Sequence, residues 1–105
     1  MIASATIQTK PGKKEPSLTD KWYQLYVKAP PGNGYTNPQA MKRVDDHLIL
    51  STAASFNAPN FLPVQEADGT WEVRVYDGSD LSLRLVKRIL TGHYGLEIVR
   101  EVENS

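Results

Sequence analysis

Residues 71–91, WEVRVYDGSDLSLRLVKRILT, contain two patterns of apolar residues in succession. The spacing of the apolar residues changes from every second position to that of a helix. The first part, Trp71–Asp77, alternates apolar and polar side chains, which predicts a strand with one face in a core. After Gly78 the apolar residues recur at helical spacing, and Ser79 or Asp80 can cap the free amides of the first turn. The stretch therefore predicts a strand followed by an amphipathic helix.

The segments on either side of this stretch extend the pattern. Phe61–Glu66 precedes it and is separated from it by the polar residues 67–70, so these two strands are predicted to form a hairpin. On the other side, Gly92 and Gly95 mark the end of the helix, and Leu96–Val102 is predicted to be the last strand. The second half of the chain thus reads as strand, strand, helix, strand.

The first half supplies one more strand and one more helix. Residues 21–29, KWYQLYVKA, alternate so that Tyr23, Leu25 and Val27 share one side, as a half-buried strand requires. Asn37-Pro38 favours a helix start, because the asparagine can cap and proline suits the first turn. The apolar pattern then weakens, and two alternatives stay open: a long helix, or a helix ending near His47 with an extra strand over residues 47–52.

The predicted order is β-α-β-β-α-β, which is typical of ferredoxin-like domains. We therefore expect an α+β fold in two layers, with a four-stranded antiparallel sheet and two helices on one face. A chain of 105 residues has room for one core, and residues 20–103 are expected to form this single domain. Residues 1–19, which are rich in lysine and proline, are expected to be a flexible arm with a candidate edge strand at 5–9.

Composition excludes several function classes. Twelve basic and twelve acidic side chains give a formal net charge of +0, so no global field draws the chain to nucleic acid or a membrane. The absence of cysteine excludes disulfides, thiolate catalysis and thiolate metal sites. No stretch approaches the roughly 20 apolar residues of a membrane span. We expect a cytoplasmic protein without cofactor, metal site or enzymatic activity, because no catalytic signature stands out.

The sheet face opposite the helices is the first candidate site, because a two-layer fold leaves it open to a partner. Exposed aromatic rings beside an arginine are typical of interface anchors. They predict a non-enzymatic protein-binding module, such as an adaptor, inhibitor or regulatory subunit, which uses the open sheet face or an exposed sheet edge and whose partner is another protein or a second copy in a homodimer. The alternative is that the rings lie against the N-terminal arm or the chain tail. The predicted binding residues are Trp22, Tyr26, Lys28, Arg74 and Tyr76.

Base stacking on this face is not expected. RNA-recognition domains carry aromatic rings at alternate positions of the third strand, where this chain has Val73 and Val75. The same face is predicted to carry Glu72, Glu97 and Glu101, which would repel phosphates. A nucleic acid is therefore the less favoured partner.

Two other sites are weaker candidates. An accessory nucleic-acid or phosphate-binding role could use a basic stripe on the last helix together with lysines of the arm. A small-ligand or anion site could form where the loop after the first strand enters a helix. The basic residues are Lys10, Lys13, Lys14, Arg84, Lys87 and Arg88, and the loop residues are Gly32, Asn33 and Gly34.

The histidines have no catalytic or ligand partner in the sequence. His47 follows Asp45 and Asp46, but adjacent helix positions point in different directions, so the three do not form one ligand set. His93 is predicted to lie at the end of the second helix, where the helix dipole favours a cap. We therefore predict structural roles for both.

Overall fold

The computed structural model describes residues 21–56 and 62–104 of the chain. The predicted arm, its candidate strand at residues 5–9 and Phe61 lie outside the described residues. The elements in chain order are strand β1 (Trp22–Lys28), helix α1 (Pro38–Ser51), strand β2 (Ala54–Phe56), strand β3 (Trp71–Val75), helix α2 (Asp80–Arg88), a π-helical turn (Ile89–His93) and strand β4 (Glu97–Asn104).

The four strands form one open antiparallel sheet in the order β2-β3-β1-β4. β1 lies in the middle, where it pairs with β3 on one side and with β4 on the other. This arrangement confirms the predicted α+β class, with a four-stranded antiparallel sheet and two helices.

The core lies between one face of the sheet and both helices. Tyr23, Leu25 and Val27 of β1 are buried, as alternation predicted, and their side chains share a face with those of Val73 and Val75. Burying side chains of this size stabilises the fold by about 1.5–3 kcal/mol each. Helix residues in the same buried cluster are Met41, Val44, Leu48, Leu83, Val86 and Leu90.

Helix α1 resolves the two alternatives for residues 47–52 in favour of the long helix. Asn37 Oδ1 accepts a hydrogen bond from the N–H of Ala40 at 2.9 Å, so the predicted cap starts the helix. The helix continues to Ser51, and the N–H of Thr52 donates to the carbonyl of Leu48 at its end. The extra strand of the chain begins only after this point, in β2.

The predicted position of the second strand is wrong. β3 pairs with Ala54–Phe56, whereas the described part of the predicted segment, residues 62–66, makes only an isolated bridge between Gln65 and Trp71. The cause is a contact distant in sequence: Asp45 Oδ1 on α1 accepts from the N–H of Phe56 at 2.8 Å and holds this short strand at the sheet edge. The edge is therefore filled directly after α1.

Strand β4 contains a bulge that overturns part of the predicted register. Val27 lies opposite Ile98, but Tyr26 lies opposite Arg100, so Val99 is the extra residue. Beyond the bulge every side chain is on the face opposite to the one that simple alternation predicts. Glu101, expected on the open face, lies opposite Leu25 on the helix side instead.

Two ion pairs on the helix side fit the bulged register. On the helix side, Glu101 lies 2.7 Å from Nζ of Lys87, and Glu103 lies 3.1 Å from Nζ of Lys21. Regular pairing would move both glutamates to the other face and bring Arg100 to the side of Lys87. The bulge therefore replaces a repulsion between like charges with two attractions.

Candidate protein-binding face

Two aromatic rings lie on the open face of the sheet, each beside an arginine. Trp22 and Tyr26 are half-buried residues of β1, and neither ring enters the core. The guanidinium carbon of Arg74 lies 5.5 Å from the centre of the Trp22 ring, and that of Arg100 lies 4.2 Å from the centre of the Tyr26 ring. Both distances are within the range of cation–π attraction.

A row of hydrogen bonds crosses the same face between the rings. Asn104 donates to Oε1 of Gln24 at 3.2 Å, and Gln24 Nε2 donates to Glu72 and to the hydroxyl of Tyr26. Arg74 Nε donates to the same Glu72 oxygen at 3.1 Å. Glu72 is only 7% exposed, so these donors compensate for a carboxylate that is largely removed from water. The row holds the open face in one arrangement.

The structure brings together three of the five predicted binding residues: Trp22, Tyr26 and Arg74. Lys28 is exposed at the end of β1, where it lies opposite Glu97. Tyr76 lies one position beyond the end of β3, and its N–H donates to the carbonyl of residue 53 at 2.7 Å. These two residues flank the described face without contributing to its hydrogen-bonded row.

Arg100 is the residue of this face that sequence reasoning missed. Alternation through Leu96 and Ile98 places residue 100 on the core side, and only the bulge at Val99 moves it to the open face. The sequence offers one signal of this kind, because Arg100 and Glu101 are adjacent charges of opposite sign and only Glu101 can form an ion pair with Lys87. That match becomes visible only when the helix and the strand are known to be neighbours.

The predicted basic stripe on α2 is largely neutralised. Arg84 lies 3.2 Å from the carboxylate of Asp80, and Lys87 pairs with Glu101. Arg88 is exposed and forms no ion pair within the part of the chain that the structure describes. The arm lysines Lys10, Lys13 and Lys14 lie outside the described residues, so the structure does not bring the two halves of this candidate site together.

The predicted ligand loop, Gly32 to Gly34, is tied to the turn that follows α2. Asn33 Nδ2 donates to the carbonyl of Tyr94 at 2.9 Å, and Asn33 Oδ1 accepts from the N–H of Tyr35 at the same distance. Both ends of the central amide are therefore engaged in holding the loop. Asn33 is therefore a structural clamp, and its side-chain amide is used to hold the loop.

The two histidines, separated in sequence, meet beside this clamp. The rings of His47 and His93 are perpendicular, with centres 4.9 Å apart, and His47 Nδ1 lies 2.8 Å from the hydroxyl oxygen of Tyr94. Burial raises the pKa of the Tyr94 hydroxyl, and the neighbouring Tyr35 raises it further. Because His47 and His93 come from opposite halves of the chain, no local pattern could have predicted their contact.

No protein-family model matches the chain, and no curated protein or solved structure matches it either. Among residues 21–56 and 62–104, no group of three or more His, Asp or Glu side chains is arranged to hold a metal ion. Over the same residues, no helix is long and apolar enough to cross a membrane.

Proposed function

We propose that this chain is a small non-enzymatic binding module that recognises a protein partner through the open face of its sheet. The observation that supports the proposal is the pairing of two outward aromatic rings with two guanidinium groups on one rigid face. Tryptophan, tyrosine and arginine are the residues most enriched among those that dominate binding energies at protein interfaces. Here they are adjacent without being part of the core.

The stacking geometry indicates the chemistry of the partner. A guanidinium that lies over a ring uses its flat face and leaves its N–H groups free to donate in its plane. Arg100 is exposed and forms no ion pair within the described residues, whereas Arg74 is already engaged by Glu72. The partner is therefore a protein segment that offers carboxylate or carbonyl oxygens to Arg100 and an apolar side chain to the Tyr26 ring.

The rigidity of the face favours binding. Gln24, Glu72 and Asn104 fix the surroundings of the rings before a partner arrives, so little side-chain entropy is lost on association. Truncating an anchor residue at an interface typically costs about 2 kcal/mol or more, which weakens binding about thirtyfold. We expect effects of this size at Tyr26 and Arg100.

We further propose that the architecture is ferredoxin-like. The β-α-β-β-α-β element order and the sheet order β2-β3-β1-β4 support this assignment. In that architecture the helices cover one side of the sheet, which is consistent with a partner on the other. The nucleic-acid alternative gains no support, because Arg84 and Lys87 already pair with carboxylates of the same chain.

The test compares matched variants in partner capture. Chain immobilised through its C-terminus captures proteins from a lysate of its native host, and Tyr26→Ala and Arg100→Ala are compared with the control Arg88→Ala, which removes an exposed arginine from α2. Far-ultraviolet circular dichroism checks the fold of each variant. We expect a retained protein that is lost with both face variants and kept with the control. Retention that is equal for all variants would refute the proposed face.

The affinity of the purified pair then tests the assignment quantitatively. Isothermal titration of the captured protein against wild-type chain, Tyr26→Ala and Arg88→Ala is expected to show weaker binding only for Tyr26→Ala. If the retained protein is the chain itself, sedimentation equilibrium of the same variants replaces the titration. A dimer that persists in Tyr26→Ala and Arg100→Ala would assign self-association to another surface.

A further inference from the structure

The histidine pair stands apart from the proposed binding face. The chain contains only two histidines, one in the third turn of α1 and one at the end of the π-helical turn after α2. The fold brings both imidazoles into direct ring contact, with centres 4.9 Å apart and planes at 90°. Both rings also pack on Tyr94, which lies against the core, but neither imidazole is itself part of the core or of the open face.

The spacing suits two ligands of one metal ion. Imidazole nitrogens bind zinc at about 2.0–2.1 Å, and two imidazoles on a tetrahedral ion have ring centres about 5 Å apart. The observed separation is close to this value, and it is also normal for two rings packed edge to face, so a shared ion requires one nitrogen of each ring to turn towards it. Both rings are partly or fully accessible, since His93 is exposed and His47 is half-buried.

The hydrogen bond to Tyr94 prepares one of the rings. With its proton on Nδ1 and donated to the tyrosine oxygen, His47 keeps the lone pair of Nε2 for an ion, which is how metal-binding histidines are usually oriented. Neither ring nitrogen of His93 makes a hydrogen bond within the described residues, so either can turn towards the same ion. Tyr94 is itself held by Asn33 and by the perpendicular ring of Tyr35.

The surroundings select the class of metal. No carboxylate joins the two rings within the part of the chain that the structure describes, and the nearby Asp46 is engaged by Lys42 at 2.6 Å. Arg43 lies one helical turn before His47 and disfavours cations that are held by charge alone. Calcium and magnesium need several oxygen ligands, whereas zinc, copper(II) and nickel favour imidazole.

We propose that His47 and His93 together bind one divalent transition-metal ion of the imidazole-preferring class, zinc, copper(II) or nickel, with water completing its coordination. The ion would join α1 to the turn that leads into β4. With two protein ligands the site is exchangeable and its affinity is modest, unlike the four-ligand sites that hold structural zinc. The site is independent of the open sheet face.

Titration of tag-free chain with zinc chloride and nickel chloride tests the proposal. Isothermal titration is expected to show one ion bound per chain. His47→Gln and His93→Gln should each remove the stoichiometric binding. Tyr94→Phe should weaken it by about 10–100-fold, since it removes the partner that orients His47.

Nuclear magnetic resonance keeps the test decisive if a variant folds poorly. In wild-type chain, zinc should shift the imidazole signals of both histidines together and saturate at one ion. No shift at millimolar zinc would overturn the proposal and leave the ring contact as packing alone. Zinc binding that survives in both glutamine variants, with their fold verified by circular dichroism, would equally overturn it, because the ion would then be bound elsewhere.

Discussion

Asp45 connects α1 to the sheet edge, and its replacement by alanine should loosen that edge. Its Oδ1 accepts from the N–H of Phe56 at 2.8 Å, and the residue is only 6% exposed. In Asp45→Ala this N–H loses its partner away from water, which costs about 1–3 kcal/mol. For a domain of this size that loss lowers the midpoint of thermal unfolding by about 4–20 °C. Urea unfolding followed by circular dichroism measures the loss in free energy of unfolding, and thermal unfolding measures the shift of the midpoint.

Asp45→Asn distinguishes the effect of the hydrogen bond on stability from the effect of the negative charge. The amide oxygen can still accept from Phe56, while the buried negative charge disappears. Burial raises the pKa of Asp45 above its ordinary value of 3.8, although the N–H of Phe56 and the nearby Lys42 oppose the shift. The ionised carboxylate therefore destabilises the folded state above its folded pKa, and the chain gains stability as protonation proceeds between that pKa and 3.8.

The expected order of stability at neutral pH follows from these effects. Asp45→Asn should be at least as stable as wild type and clearly more stable than Asp45→Ala. Its advantage over wild type should shrink as the pH falls. The control is Asp46→Asn, which removes only an exposed ion pair with Lys42 and should cost about 0.5 kcal/mol or less. An Asn variant as unstable as the Ala variant, or an advantage that grows on acidification, would refute this account.

Four further substitutions, one of them a control, test the packing and the backbone. Leu48→Ala removes a fully buried side chain and should cost about 2–5 kcal/mol in urea unfolding, whereas Leu50→Ala, at a position that is 86% exposed, should change stability by less than about 0.5 kcal/mol. Gly78→Ala places a methyl group against the backbone carbonyl of Lys21 and should cost about 1–3 kcal/mol of stability. A thermal unfolding midpoint equal to that of the wild type would contradict this prediction. Gly95→Ala forces alanine to a φ of 67°. This substitution should lower the free energy of unfolding by about 1 kcal/mol in urea unfolding.

The local sequence pattern was sufficient to predict elements in which regularly spaced apolar residues form one buried face. Alternation placed the core residues of β1 and β3 correctly, and the caps at Asn37 and Ser79 start their helices as predicted. These features depend on residues within a few positions of one another. Sequence alone was therefore sufficient for the class of fold and for the outward position of Trp22 and Tyr26.

The remaining features depend on contacts between distant residues. β2 has three residues, too few to show alternation, and it is selected by a hydrogen bond from Asp45 on another element. Arg100 reaches the open face because the strand bulges at Val99, and the same register places Glu101 and Glu103 beside Lys87 and Lys21. Neither contact leaves a periodic pattern along the sequence, so neither feature could be read from it.

The bulge in β4 gives the open face its electrostatic sign. Two registers compete for one strand: the bulged one presents Arg100 outward, and a straight ladder would present Glu101 and Glu103 in its place. Shortening the chain by Val99 would leave every later pairing as it is, since Arg100 would follow Ile98 in ordinary alternation. A chain that kept Val99 but paired it would instead turn a cationic surface into an anionic one. A single residue of strand slippage thus decides the sign of the charge on this face.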